Sequence, residues 1–140
     1  MVLATHIDAG FQNESKGCSQ AGAHVFLDEH EPVPHWNGPI LSLAQVIKFV
    51  MSSAAKAELG ALFITSKELV PIRHTLIDMG WPQPLTPIQT DKSTTAGVAN
   101  DTFISQKTNS MDLILYWLRC HEAQQQFCFY WAHGYNNWAD

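Results

Sequence analysis

The sequence predicts an α/β domain in which most strands precede most helices. Three observations carry this. The first fifty residues hold three short runs of strand character, "VLATHID", "AGAHVFLD" and "ILSLAQVIKFV", separated by polar or proline-containing stretches. At Ser52 the composition turns to Ala, Leu, Glu and Lys, all good helix formers. After a second helical stripe, "QFCFYWA" returns to strand-like alternation.

Residues 2 to 8 alternate Leu3, Thr5 and Ile7 against Val2, Ala4, His6 and Asp8, which suits a strand. "GFQNESKGCSQ" is polar with two glycines and reads as a turn. Residues 21 to 28 offer the second strand. "EHEPVPHWNGP" carries three prolines and reads as a loop. Residues 40 to 50 form an apolar run rich in β-branched residues, the third strand. Short connections between three successive strands predict an antiparallel meander.

From Ser52 onward, Ala55, Leu59, Leu62 and Phe63 fall on one helical face, with Ser52 or Ser53 as cap. Pro71 is expected to end or kink that helix, with "IRHTLIDMG" forming a further short one closed by Gly80. "WPQPLTP" reads as a loop and "IQTD" as a short strand ending at Asp91. "STTAGVAND" can begin a helix capped by Ser93. A clearer helix covers roughly 108 to 124, where Met111, Ile114, Leu115 and Leu118 line one side. The last strand sets Phe127, Phe129 and Trp131 against Cys128, Tyr130 and Ala132. The predicted order is βββαβααβ, with no repeat and no interdomain linker across residues 1–140.

Length and composition suit one globular domain: 140 residues, 46% hydrophobic and 15% charged. No apolar run approaches the roughly 18 residues of a membrane span, and "MVLATHIDAG" lacks the features of a signal peptide. Cys18, Cys120 and Cys128 show no CxxC spacing and read as reduced cysteines of an intracellular protein, in cytoplasm or nucleus. No His pair among the seven has zinc-enzyme spacing. A net charge of −5 argues against a module that binds nucleic acid by phosphate neutralisation alone. It argues less against an enzyme that meets nucleic acid through bound divalent metal, which supplies positive charge locally.

Four carboxylates fall where elements end or meet: Asp8 after the first strand, Glu58 on the first helix, Asp91 after the fourth strand, and Asp140 after the last. Clustered carboxylates suit Mg²⁺, which takes hard oxygen ligands. Spacing alone leaves each acid a second role. Asp8 is also a plausible turn residue beside Gly10, Glu58 a solvated helix carboxylate, Asp91 part of a helix cap, and Asp140 a frayed end.

"THIDAG" resembles the first-strand motif of the ribonuclease H domain in retrotransposon reverse transcriptase polyproteins, which often reads S/T-D-A-S. "MSSAAKAELGAL" is similar to its first-helix pattern S-S-x-x-E-A-E-x-x-A-L, with the second Glu as ligand. "TPIQTDKSTTAGVAND" resembles P-I-x-x-D-N-x-x-A, and "YWAHGYNNWAD" resembles a last strand followed by N-x-A-D. The four matches are collinear, span nearly the whole chain, and look most like copia-like elements.

The resemblance implies a ribonuclease H-like fold: a five-stranded mixed sheet, its first three strands antiparallel, flanked by helices, with the final helix truncated. It implies an endonuclease that cuts the RNA strand of an RNA–DNA hybrid with two Mg²⁺ ions, for which Mn²⁺ can substitute. Asp8, Glu58, Asp91 and Asp140 match the family's metal-binding acids. They act as ligands while the attacking hydroxide is generated and the departing 3′ oxygen stabilised, leaving a 5′ phosphate. The implied partners are the hybrid and a polymerase domain in the same polyprotein, with no membrane.

The chain also departs from the pattern. Lys56 stands where a non-ligand Glu is common. Lys92 replaces the frequent Asn after the third acid, and can either weaken metal binding or contact phosphate. His133 invites comparison with the mobile His of cellular ribonucleases H, which takes part in proton transfer or product release, although that loop is usually longer; its other role is a surface His in a turn with Gly134. The family's last acid opens a helix, whereas Asp140 ends this chain, as in a fragment of a polyprotein. A second reading from a different class is a degenerate, non-catalytic domain with a structural or nucleic-acid-binding role. A DNA-cutting relative of the integrase or resolvase class fits the spacing of the acids less well.

Overall fold

A computed structural model describes residues 1–12, 15–29, 38–48, 53–91, 112–133, 135 and 137–139. Its five strands form one mixed sheet in the order β3-β2-β1-β4-β5. Strand β1 (Val2–Gly10) pairs antiparallel with β2 (Ser19–Asp28), which pairs antiparallel with β3 (Leu41–Ile47). On its other side β1 runs parallel to β4 (Thr86–Thr90), and β4 runs parallel to β5 (Phe127–Trp131). Parallel neighbours need crossovers rather than hairpins. Helix α1 (Ala54–Asp78) lies in the crossover from β3 to β4, and helix α2 (Asp112–Ala123) in that from β4 to β5. The C-terminal ends of β1 and β4 therefore emerge on the same edge of the sheet, where the start of α1 also lies.

Strand β1 sits inside the sheet, and its residues 2 to 7 are buried whichever face they take. Ile7 and Thr5 pair with Ala23 and Val25, on the face that joins the α1 residues Ala57, Ala61, Leu62 and Leu69 in one apolar cluster. Leu115 and Leu118 of α2 and Phe127 and Phe129 of β5 complete that cluster. Sealing side chains such as Leu3, Ile7, Leu62 and Phe127 from water contributes about 1.5–3 kcal/mol each. On the opposite face, His6 meets Phe26 and Trp138 with ring centroids 5.2 Å apart in each case. Trp138 also packs on Phe26 at 4.9 Å.

The first helix differs from expectation. It is continuous for 25 residues, with Pro71 inside it. Pro71 lacks the N–H that would bond to the carbonyl four residues back, a cost of roughly 3 kcal/mol in an isolated helix. Here the ring points to solvent, and the buried residues Leu69 and Arg73 on either side hold the helix to the domain. The Thr75 hydroxyl donates to the Pro71 carbonyl at 2.8 Å. Ser53 caps the start, its Oγ accepting from Lys56 N at 3.3 Å. Gly80, at φ 89°, turns the chain at the end, with Trp81 N bonding to Leu76 O and Gly80 N to Ile77 O.

Other boundaries shift modestly. β1 reaches Gly10 and β2 starts at Ser19, so the first hairpin is longer than its polar connection suggests, with a short 3₁₀ turn at Ser15–Gly17. β3 is shorter than 40 to 50. The helix expected from Ser93, and residues 108 to 111 before α2, lie outside the described residues.

Arg73 was not anticipated as a structural residue. It is 7% exposed, and its guanidinium donates to the Pro84 carbonyl and Thr86 Oγ1, both at 2.6 Å, and to the Gln83 carbonyl at 3.3 Å. Gln83 in turn accepts from Leu3 N at 2.9 Å. This clasp ties the far end of α1 to the start of β4 and β1, at the opposite pole from the acids. Burial pushes the Arg73 pKa below its usual value.

Candidate active site

Asp8, Glu58 and Asp91 come together where β1 and β4 end and α1 begins. Each offers a carboxylate oxygen, and these oxygens all lie within 4.8 Å of one another. Asp8 is half-buried and occupies the last turn-ward part of β1, opposite Gly22 on β2. Glu58 is only 1% exposed, so it is not a solvated helix carboxylate. Its small neighbours Ala57 and Ala61 let the helix press against the sheet, carrying the acid inward. Glu58 Oε1 accepts from Ala9 N at 3.2 Å, and its Oε2 accepts from the Thr90 hydroxyl at 3.4 Å. Asp91 directly follows β4, and its carbonyl accepts the Trp131 indole N–H at 2.9 Å.

Three carboxylates this close repel, by about 3 kcal/mol per pair at an effective dielectric near 20. A divalent cation relieves that repulsion, and the donor set is chemically suitable. All three donors are hard oxygens, and their spread compares with the roughly 4.2 Å between opposite ligands of one Mg²⁺ ion.

The segment before Asp140 is held against the same edge. Asn137, 7% exposed, donates from Nδ2 to the Ile7 carbonyl at 2.6 Å and accepts from Ala139 N at 3.0 Å. Trp138 N donates to His6 Nδ1 at 3.1 Å. A Cβ on Gly22 would lie 3.1 Å from the Ala139 carbonyl, so only glycine admits this approach comfortably. Asn137 stood within the quoted N-x-A-D match, but its anchoring role had no separate signal in the sequence. Asp140 and Lys92 lie outside the described residues. His133 is exposed and stacks on Tyr135, with centroids 5.2 Å apart and planes 18° apart.

His6, two residues before Asp8 on β1, is a further buried ionisable group. Burial, reinforced by His24, lowers its pKa from 6.5 to about 4, against a smaller opposing pull from Asp28. A neutral ring is also what the bond from Trp138 N requires, because a protonated Nδ1 cannot accept.

The strand order, the crossovers and the apolar layer between α1 and the sheet together define a ribonuclease H-like fold. Among solved structures, the chain is similar to LC11-RNase H1, isolated from compost by a metagenomic approach. The TM-score is 0.70 at 14% identity, covering 97% of this chain and 87% of that one. LC11-RNase H1 in complex with an RNA/DNA hybrid gives the same TM-score at 11% identity, covering 97% and 88%. The N-terminal RNase H domain of a Mycobacterium tuberculosis protein gives 0.66 at 13%, covering 96% and 84%. The prototype foamy virus protease–reverse transcriptase gives 0.53 at 14%, covering 96% of this chain but 17% of that one. No protein-family model matches the sequence. No curated protein matches it either.

Proposed function

We propose that this chain is a metal-dependent ribonuclease H that hydrolyses the RNA strand of RNA–DNA hybrids, within the reverse transcriptase polyprotein of a copia-like retroelement. The observation that carries the reading is the meeting of Asp8, Glu58 and Asp91 within 4.8 Å at the strand ends. The fold supports it, as does the hybrid bound to one structural neighbour. The foamy virus neighbour, a protease–reverse transcriptase, supports the polyprotein setting and a polymerase partner.

In this reading Asp8, Glu58 and Asp91 hold Mg²⁺ or Mn²⁺, two ions in all, and Asp140 is a fourth ligand. Bound metal supplies Lewis acidity and charge neutralisation at the scissile phosphate. The chain's own residues orient the site. The Ala9 amide and Thr90 hydroxyl fix the Glu58 carboxylate, and the Asn137 clasp holds the segment leading to Asp140 beside β1. Small side chains around Glu58 exclude water from its inner side. Lys92 and His133 are assigned to substrate contact or proton transfer, His133 from its exposed position beyond β5. Three histidine or cysteine ligands of a zinc enzyme do not gather among the described residues.

The test is cleavage of a hybrid labelled on its RNA strand, in Mg²⁺ or Mn²⁺. Wild type should cut the RNA and leave the DNA intact. Asp8→Asn should lose the activity by about a hundredfold or more, since it removes charge and a ligand at the same point. An inactive wild-type chain whose length extends past residue 140 would overturn the catalytic reading in favour of a non-catalytic domain.

A further inference from the structure

Beyond the acids, β5 and the residues after it carry an exposed row of aromatic rings. Trp131, His133 and Tyr135 recur at every second position. Trp131 and His133 have centroids 5.1 Å apart, and His133 and Tyr135 lie 5.2 Å apart with nearly parallel planes. Trp131 is 47% exposed and Tyr135 is 83% exposed. Large aromatics usually bury most of their area, so three in five residues turned outward mark a contact surface.

The position of the row narrows what it contacts. Its first ring is bonded to Asp91, whose carbonyl takes the Trp131 indole N–H. The row therefore starts beside the acid trio, at the Asp91 backbone. We propose that Trp131, His133 and Tyr135 form a stacking platform for an unpaired nucleobase, in a strand that runs on from the hybrid bound at the acids. This rests on the proposed function for the location of the duplex. Stacking suits this chain because every base has a π-face, whereas a net charge of −5 leaves little phosphate neutralisation to draw on. The open face of Tyr135 receives the base, and His133 backs that ring from behind.

The experiment measures binding without metal, so it does not depend on cleavage. Anisotropy of a labelled hybrid is compared with that of the same hybrid carrying a short single-stranded extension, of RNA or of DNA, in EDTA. An extension should tighten binding about tenfold, in the range of one base stacked on an aromatic ring. Tyr135→Phe should keep the gain and Tyr135→Leu should lose it, and neither touches the core. The better of the RNA and DNA extensions identifies the strand that supplies the base. An abasic extension that binds equally well would make the contact one of phosphate and overturn the proposal, as would a gain that survives Tyr135→Leu. A sedimenting dimer that Tyr135→Leu dissociates would also overturn it, by making the row a self-association surface. If the extension effect holds but no hybrid is cut, the platform stands and the ribonuclease reading falls.

Discussion

Glu58 and Arg73 lie on the same helix, both nearly sealed from water, and their surroundings differ in kind. Among the described residues, Arg73 meets neutral oxygens: two carbonyls and a hydroxyl, each placed to accept from the guanidinium. Its charge is spread over hydrogen bonds and stays where it is. Glu58 also receives two hydrogen bonds, yet it is set beside two more carboxylates. A helix that only needed to fold would gain nothing from that grouping. The difference separates a buried charge matched to neutral oxygens from one grouped with two further carboxylates, an arrangement that could hold a cation.

The largest effect on stability should come from the fastening end. Arg73→Met leaves the Pro84 and Gln83 carbonyls and the Thr86 hydroxyl without their donor. It should cost about 3 kcal/mol in urea unfolding at pH 7, since bonds to a charged group are worth about 1.5–3 kcal/mol each and are not additive. Arg73→Lys should recover little, because an ammonium cannot reproduce the planar fork. A loss below about 1 kcal/mol would remove the clasp from the account.

A somewhat smaller effect tests a third buried ionisable group, His6, packed against Phe26 and Trp138. His6 has its pKa lowered to about 4, so between that value and 6.5 the unfolded chain binds a proton that the folded chain refuses. Stability should then rise with pH across this window, and fall as the solution is acidified through it. Between pH 7 and pH 5, wild type should lose about 2 kcal/mol more than His6→Gln. Equal losses in the two proteins would show that His6 charges freely in the fold.

The smallest effect has the opposite sign. With no divalent metal present, Glu58→Gln should stabilise the domain by about 1 kcal/mol net, because the relief of repulsion with Asp8 and Asp91 is largely offset by weaker hydrogen bonds from the Ala9 amide and Thr90 hydroxyl to a neutral amide. Mg²⁺ should raise the Tm of wild type, and the same variant should lose most of that rise. Calorimetry with and without Mg²⁺ reads both. Destabilisation in metal-free buffer would mean that Glu58, like Arg73, is there for the fold.

Much of this organisation was legible in the residues. Alternation and apolar runs located the strands, Ser52 or Ser53 marked the start of α1, and Gly80 marked the end of the helical stretch, although by sequence alone it closes a separate short helix after Pro71. The collinear motifs then selected Asp8, Glu58, Asp91 and Asp140 from thirteen acids, and the first three of these meet within 4.8 Å. Local rules failed where tertiary contacts outweighed them. Pro71 reads as a helix breaker because its missing N–H is a local fact, whereas the packing of Leu69 and Arg73 that carries the helix past it is not. Arg73 has no acid at helical spacing to announce it, since its partners are backbone carbonyls ten residues away and more. His6 gave no sign of staying neutral, because its burial depends on Trp138 at the other end of the chain.

That long reach has a consequence in time. The bond from Asn137 to the Ile7 carbonyl joins residues 130 positions apart. A ribosome adding roughly 5–20 residues per second delivers the second partner on the order of ten seconds after the first. Throughout that interval the edge beside Asp8 lacks its cover, although strands β1 to β3 have already been made. The nascent protein therefore carries Asp8 for some time before Asn137 can close over that end of β1, and formation of the bond reports that synthesis has passed residue 137.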